Sequence, residues 1–347
     1  MPTDDRRLEV EYVLPLRWSD DTPLAELTDY LTELSAWVDV TVVDGSAPEV
    51  FDRHASRWRG LVRHVPPAPW PGRNGKVAGV VTGVRLARHE QVVIADDDVR
   101  YDLAGLAAVT DLLHEADLVR PQNFFDPSPW HARWDTGRTL LNRAVASDYP
   151  GTFALRRSTF LAAGGYDGDV LFENLELSRT IRAAGGRELC AESVFVVRRP
   201  PTAGHFLRQR VRQAYDDLAQ PARLVVEASL LPTLATMAAR GRLGWAVAGT
   251  MAVTVGLAEV GRRAAGGRRV FPATAPMWAP LWLAERTACI WLALGYRAAG
   301  GVPYAGQRLA TAAHSVRHLR RHPRPPLQPL GPGDGTTGAA GLRAVTG

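Results

Sequence analysis

Along its first two thirds the chain alternates short β-branched runs with stretches whose apolar residues recur every three or four positions. Residues 8–16 read as a strand. Thr22-Pro23 then offers an N-cap and a first-turn proline for a helix that puts Leu24, Leu27, Leu31, Leu34 and Val38 on one face. A strand pattern follows at 38–43 and, after a helical stretch at 48–60, another at 61–65; a helix at 76–89 then leads to a strand at 91–95. Helices over 102–116 and 130–146 flank a strand at 117–123, and Gly185-Gly186 marks a helix stop before strand character returns over 188–197. Strands alternating with helices predict an α/β fold, a mostly parallel sheet covered on both faces.

Beyond residue 223 the pattern changes. Residues 243–258 form a charge-free run of 16, and residues 270–284 one of 15 that is interrupted by Pro272, Pro276 and Pro280. A simple membrane span needs about 20 apolar residues, so both fall short. Residues 287–296 add a third apolar block, separated from the second by Glu285-Arg286. The pattern predicts a helical region over 223–322 that is re-entrant, tilted or interfacial, with arginines at its edges reaching headgroups. An ordinary buried helical subdomain is the other reading. Residues 323–347 are rich in Pro, Gly and Thr and predict a disordered tail, which leaves 1–222 as the α/β portion.

Charge sharpens this division. From residue 223 onward fifteen arginines face four acids, a net +11 within a chain of +5, so residues 1–222 carry −6. An acidic portion is followed by a basic, apolar one that suits an anionic membrane surface. Nucleic acid is disfavoured as a partner because these arginines flank apolar blocks and form no polar stripe. Cys190 and Cys289 stand in no metal-ligand spacing, and residues 1–7 are polar with no signal peptide visible. Both features fit a reducing, cytoplasmic setting.

Candidate chemistry concentrates at Asp96, Asp97 and Asp98, directly after Val92-Val93-Ile94-Ala95. Carboxylates at the carboxyl end of a buried strand fall where an open α/β sheet forms its ligand crevice. Crowded like charges there call for a cation, and hard oxygen ligands suit magnesium or manganese carrying a phosphate-bearing substrate. A solvated acidic turn is the plainer alternative. Lys76 is the only lysine in the sequence, which draws attention to it as a compact phosphate-facing ammonium. Asp167, Asp169, Glu173 and Glu176 form a second acidic cluster, while Trp130 and Trp134 read either as packing or as a sugar platform.

Taken in order, these motifs resemble the family 2 glycosyltransferases of GT-A fold, over residues 8–216 and more loosely to about 320. Asp44 in Val42-Val43-Asp44-Gly45-Ser46 matches the family's first acidic site, which implies contact with the nucleotide base. Asn74-Gly75-Lys76-Val77-Ala78 matches the stretch that approaches the donor diphosphate, and Asp96 and Asp98 match the DXD motif, which implies metal binding at Asp98 assisted by Asp96. Gly164-Gly165-Tyr166-Asp167 followed by Leu171-Phe172-Glu173-Asn174 resembles the acceptor-side motif that holds the catalytic base; Asn174 stands where a carboxylate is usual, so the role falls to Glu173. Gln209-Arg210-Val211-Arg212-Gln213 resembles the QXXRW motif with tryptophan lost, and points to Gln209, Arg210 and Arg212 as diphosphate or acceptor contacts. The segment from Gly300 to Gly306 resembles the re-entry that follows the hydrophobic helices in membrane-associated members.

The resemblance implies an inverting, metal-dependent hexosyl transfer from a nucleotide diphosphate sugar, UDP-linked, to a hydroxyl of a lipid-linked or membrane-proximal glycan acceptor. It places the catalytic portion on the cytoplasmic face of a membrane. A catalytically impaired scaffold that binds nucleotide sugar is the main alternative, motivated by Asn174. A sugar-nucleotide pyrophosphorylase is a weaker one, since Leu14-Pro15-Leu16-Arg17-Trp18 lacks the glycine-rich loop expected after its first strand.

Overall fold

The computed structural model describes residues 7–304 and 306–331. The chain opens with β1 (Val10–Leu16), α1 (Leu24–Trp37), β2 (Asp39–Asp44), α2 (Pro48–Arg57), β3 (Arg63–Val65), α3 (Gly75–Leu86), β4 (Gln91–Ala95) and β5 (Val99–Arg100). It continues through α4 (Leu103–Asp111), β6 (Leu118–Phe125), α5 (Trp130–Val145), β7 (Thr152–Arg156), α6 (Arg157–Ala162), α7 (Glu173–Ala183) and β8 (Glu188–Arg198). Nearly all of these follow the hydrophobic periodicity. The start of α1 differs from expectation: Pro23 caps it without a side-chain bond, and Thr22 instead donates its backbone N–H to Asp20.

One sheet runs in the order β3-β2-β1-β4-β7-β6-β8-β5. Its β3, β2, β1 and β4 strands are parallel, β7 is antiparallel to both neighbours, and β6 and β8 return to parallel pairing. The alternating strand and helix pattern thus gives the α/β fold anticipated, with an antiparallel strand set into it. On one face α1 and α4 bury Leu27, Leu31, Leu34, Leu106 and Val109; on the other α3 and α7 bury Val77, Val80, Val84, Leu177 and Ile181. The chain leaves β1 for β2 on one side, while β4 joins β1 on the other, so the carboxyl ends of β1, β2 and β4 surround a topological switch point.

The remaining elements are α8 (Ala203–Arg208), α9 (Arg210–Asp216), α10 (Pro221–Ala239), α11 (Leu243–Arg263), α12 (Ala279–Ala298), β9 (Val302–Tyr304), β10 (Gln307–Leu309) and α13 (Val316–Arg321). Two sequence expectations change here. The α10 helix and the segment Leu243–Arg269 are long and apolar enough, by length and composition, to cross a membrane, although the charge-free runs alone were too short. In α12, Glu285-Arg286 does not divide two blocks, because both side chains turn inward and Arg286, only 1% exposed, reaches Asp217 at 3.1 Å.

The compositional boundary at residue 222 is not a break in packing. Leu140 of α5 shares a cluster with Ala258 and Ala279, and Gly261 lies so close to α5 that a Cβ there would meet the Leu140 carbonyl oxygen at 1.9 Å. Residues 323–331, assigned by composition to a disordered tail, instead form an extended strap. Leu327 donates its N–H to Leu161 O at 2.8 Å, and Leu330 donates to Arg85 O at 3.0 Å. The rest of that tail, 332–347, lies outside the described residues.

Candidate active site

A cleft of about 710 Å³ opens over the carboxyl edge of the sheet, with Leu16 and Val43 at strand ends and Lys76, Asp96, Asp97 and Asp98 on its floor. Asp96 is fixed by backbone: its N–H donates to Gly151 O at 2.8 Å, and a Cβ at Gly151 would lie 2.6 Å from the Asp96 carboxylate. Lys76 stands in the first turn of α3, capped by Asn74, whose side chain accepts the Lys76 backbone N–H at 3.2 Å. Its Nζ reaches Asp96 Oδ1 at 2.6 Å and Glu173 Oε1 at 2.8 Å. Burial opposes the charge on Lys76, but the Asp96 and Glu173 carboxylates outweigh it and raise its pKa.

Arg198 ends β8 and supplies a second cation. Its Nε donates to Asp98 Oδ2 at 2.8 Å, and its guanidinium lies 3.7 Å from Asp96. Burial, with the Asp96 and Asp97 charges, nevertheless pushes the Asp98 carboxyl up to about 6 against the pull of Arg198. Asp97 turns aside and accepts the Trp18 indole N–H. Three carboxyl groups, Asp96, Asp98 and Glu173, therefore share two firmly placed cations, and Asp98 Oδ1 is sealed from solvent with no hydrogen-bond partner. An excess of hard oxygen donors with one buried oxygen unmet fits a divalent ion at Asp98 and Asp96. Among the described residues two other groups lie close enough to share an ion, Asp44, His54 and His64 and then Glu11, Asp39 and His89, and neither lines this cleft.

Glu173 opens α7 and faces both the cleft and an adjoining polar cavity of about 320 Å³. Its neighbour Asn174 donates to Pro150 O at 3.1 Å, bracing the loop that carries Gly151. A carboxylate could not make this bond, since it has no proton to donate. The Gly164-Gly165 pair takes φ values of +78° and +67°, a left-handed turn that ends α6 before the acceptor-side motif. Of the second acidic cluster only Glu173 reaches the cleft. Glu176 is buried and holds the His314 backbone N–H at 2.7 Å, while Asp167 accepts from Asp169 N–H at 2.7 Å.

Gln209 and Arg212 line the polar cavity, and Arg212 also borders the cleft, its guanidinium 5.0 Å from the Tyr304 ring centre. Two other expectations are corrected. Arg210 is turned away from the cleft: it is buried against Phe206, Asp135 at 3.3 Å and Glu285 at 3.5 Å. Residues two apart on a helix point in nearly opposite directions, so Arg210 and Arg212 cannot share one ligand face. Asp44 is buried beneath the cleft floor, accepting from His54 Nδ1 at 2.6 Å, His64 Nε2 at 3.0 Å and Ser46 N–H at 2.9 Å. Its burial is outweighed by these bonds, which hold the carboxyl down at about 2. It supports the floor and does not itself line the cleft.

The structure adds Arg198 and Trp18, which no motif signalled and which arrive through sheet order. Of the segment from Gly300 to Gly306, Tyr304 on β9 lines the cleft and its hydroxyl donates to Asn74 Oδ1 at 3.2 Å; Ala305 lies outside the described residues. Trp130 and Trp134 pack with Phe206 and line neither the cleft nor the polar cavity.

No family model matches the chain, and no curated sequence relative matches it. Among solved structures it is similar to a mannosyltransferase from Pyrobaculum calidifontis in complex with GDP-Man and Mn2+, at 18% identity and TM-score 0.47, covering 82% of this chain and 88% of that one. It is also similar to GalNAc-T7 with UDP, GalNAc and Mn2+, at 16% identity and TM-score 0.37, covering 56% of this chain and 44% of that one.

Proposed function

We propose that the protein is an inverting, family 2-like glycosyltransferase that moves a hexosyl unit from a UDP-linked donor to a hydroxyl of a lipid-linked or membrane-proximal acceptor. The observation that carries this reading is the carboxylate cluster at the sheet's switch point, with an unmet buried oxygen on Asp98 and a catalytic-base candidate across the same cleft. Asp98 and Asp96 would hold a divalent ion, Mn2+ or Mg2+, which when bound offsets negative charge on the departing diphosphate. Lys76 and Arg212 add fixed positive charge along the same path, and Leu16, Val43 and Pro67 offer apolar walls to the nucleoside. Glu173 accepts the acceptor hydroxyl proton as that oxygen bonds to the anomeric carbon and the diphosphate departs from the opposite face.

The acceptor side follows from the polar cavity behind Glu173 and from α10 and α11, whose outward residues are apolar: Val225 is 66% exposed and Trp245 is 84% exposed. These faces support attachment to a membrane, with the catalytic portion on its cytoplasmic side. Glu173→Gln is the direct test. Transfer from a UDP-sugar should fall by about a thousandfold, within the range of lost general-base catalysis, while donor affinity stays within twofold. Unchanged transfer in Glu173→Gln would remove Glu173 from the reaction, and absence of transfer in the unaltered protein with every acceptor fraction would favour a nucleotide-sugar-binding scaffold.

A further inference from the structure

Behind Glu173 the polar cavity is walled by arginines, of which Arg138, Arg198 and Arg223 are matched by carboxylates while Arg212, on the cleft side, meets among the described residues only Gln209 Oε1 at 3.5 Å and the Tyr304 ring. Arg138 is held by Asp148 at 2.9 Å and Asp135 at 3.3 Å, and Arg223 by Glu227 at 3.0 Å and Asp217 at 3.1 Å. Arg286 faces Asp217 at 3.1 Å without hydrogen-bond alignment. What the cavity leaves unmet is mixed. Arg286 Nε and Nη1 are buried donors without a hydrogen-bond partner, while Gln213 Oε1, Asp216 Oδ1 and Asp217 Oδ2 are acceptors shut from solvent without one. A phosphate could answer only the donors, and it would face Asp217 and Glu173. Hydroxyl groups donate and accept, so a polyol suits both kinds. Burial raises the Asp216 carboxyl well above the usual carboxylate range.

A second cavity, about 360 Å³ and walled mainly by aliphatic side chains, lies among α10, α11 and α12, with Leu230, Leu234, Met251 and Leu283 on its surface. Arg223, Glu227, Leu230 and Leu234 fall on one stripe of α10 at helical spacing, so the polar cavity and the apolar one succeed each other along the same helix face. From residue 223 to residue 234 that stripe rises about 16 Å. Arg286 and Thr287 make the same transition on α12.

We propose that the acceptor is a neutral glycolipid, its sugar head in the polar cavity with a hydroxyl toward Glu173, and its hydrocarbon chain in the apolar cavity between α10, α11 and α12. The inference rests on the transferase reading for its reaction, but not for its binding. Head and chain are recognised separately. The carboxylates of Asp96, Glu173 and Asp217 on the cavity wall disfavour a phosphate and leave an uncharged polyol as the better head, and the helices supply chain affinity in proportion to apolar surface buried.

The test uses the full chain in phosphatidylcholine nanodiscs, with dodecyl glucoside, dodecyl phosphate and free glucose as probes and native mass spectrometry as readout. Dodecyl glucoside should bind at least about tenfold tighter than either other probe, a difference of about 1.4 kcal/mol. Gln213→Ala should weaken it about fivefold, as loss of one hydrogen bond implies. Leu234→Trp and Met251→Trp, at partly exposed positions that tolerate bulk, should abolish the advantage of the chain while leaving glucose unaffected. Dodecyl phosphate binding as tightly as the glucoside, or indifference to both tryptophan variants, would overturn the inference. UDP binding measured in the same discs separates the two readings. UDP bound without the glucoside rejects the glycolipid and leaves the donor site standing, whereas glucoside bound without UDP rejects the transferase and leaves the amphiphile site.

Discussion

Lys76, Asp96 and Glu173 form a short chain of charge in which one ammonium ties the end of β4 to the start of α7. These three were legible in the sequence because their residue types and order are those that phosphate and proton chemistry require. Arg198 was not, because it is distant from the aspartates and only β8's place in the sheet brings it to them. Asp44 was recognised as special but its partners were not, since His54 and His64, 10 and 20 residues away, reach it from α2 and β3. Its folded pKa of about 2 lies below the ordinary 3.8, so its stabilisation is present above pH 3.8 and is lost as pH falls through 2. Asp44→Asn should therefore cost about 2 kcal/mol at pH 7, and denaturant titrations should show the difference narrowing between about pH 4 and pH 2. At Asn174 the amide donates to Pro150 O, and Asn174→Asp replaces a donor with a charge beside a carbonyl. It should lose about 1–3 kcal/mol of stability with no gain in turnover, whereas a large gain would mark the natural protein as impaired.

Among elements, strands and helices with a clear period were readable to within a few residues, and the misses have physical causes. The β7 strand is five residues long and enters antiparallel between β4 and β6, so no repeating strand and helix unit announces it. The α10 helix carries Arg223 and Glu227 near its start, which pair with each other and hide an otherwise apolar helix. The strap at 323–331 looked like a tail because Pro-rich composition says nothing of which leucines find a groove. Leu327 packs on the cluster that holds Phe160 and Tyr166. Leu327→Ala should lower stability by about 1–2 kcal/mol, less than a fully buried leucine would, and thermal melts in the presence and absence of donor would read it. If the melt is unchanged, the strap contributes nothing to the fold.

At the scale of the molecule, sheet, cleft and helices form one continuous packing, with α11 and α12 set on α5 and α9 closing the polar cavity. This continuity explains how a charge boundary near residue 222 coexists with a shared core: the composition changes with what the outer surface meets, while the inner faces still obey the same packing. It also places the polar cavity between the carboxylate cluster and the apolar helices, with Glu173 bordering both cleft and cavity. The account's central claim is that the carboxylate cluster is a metal-dependent nucleotide-sugar site. The measurement that tests it most directly is calorimetric binding of UDP-sugars to the full chain, with and without Mn2+, beside the Asp98→Asn variant. Binding that strengthens at least about tenfold with Mn2+ and loses that gain in Asp98→Asn is the expected result. Nucleotide binding that ignores both Mn2+ and Asp98, or no binding under any condition, would contradict it.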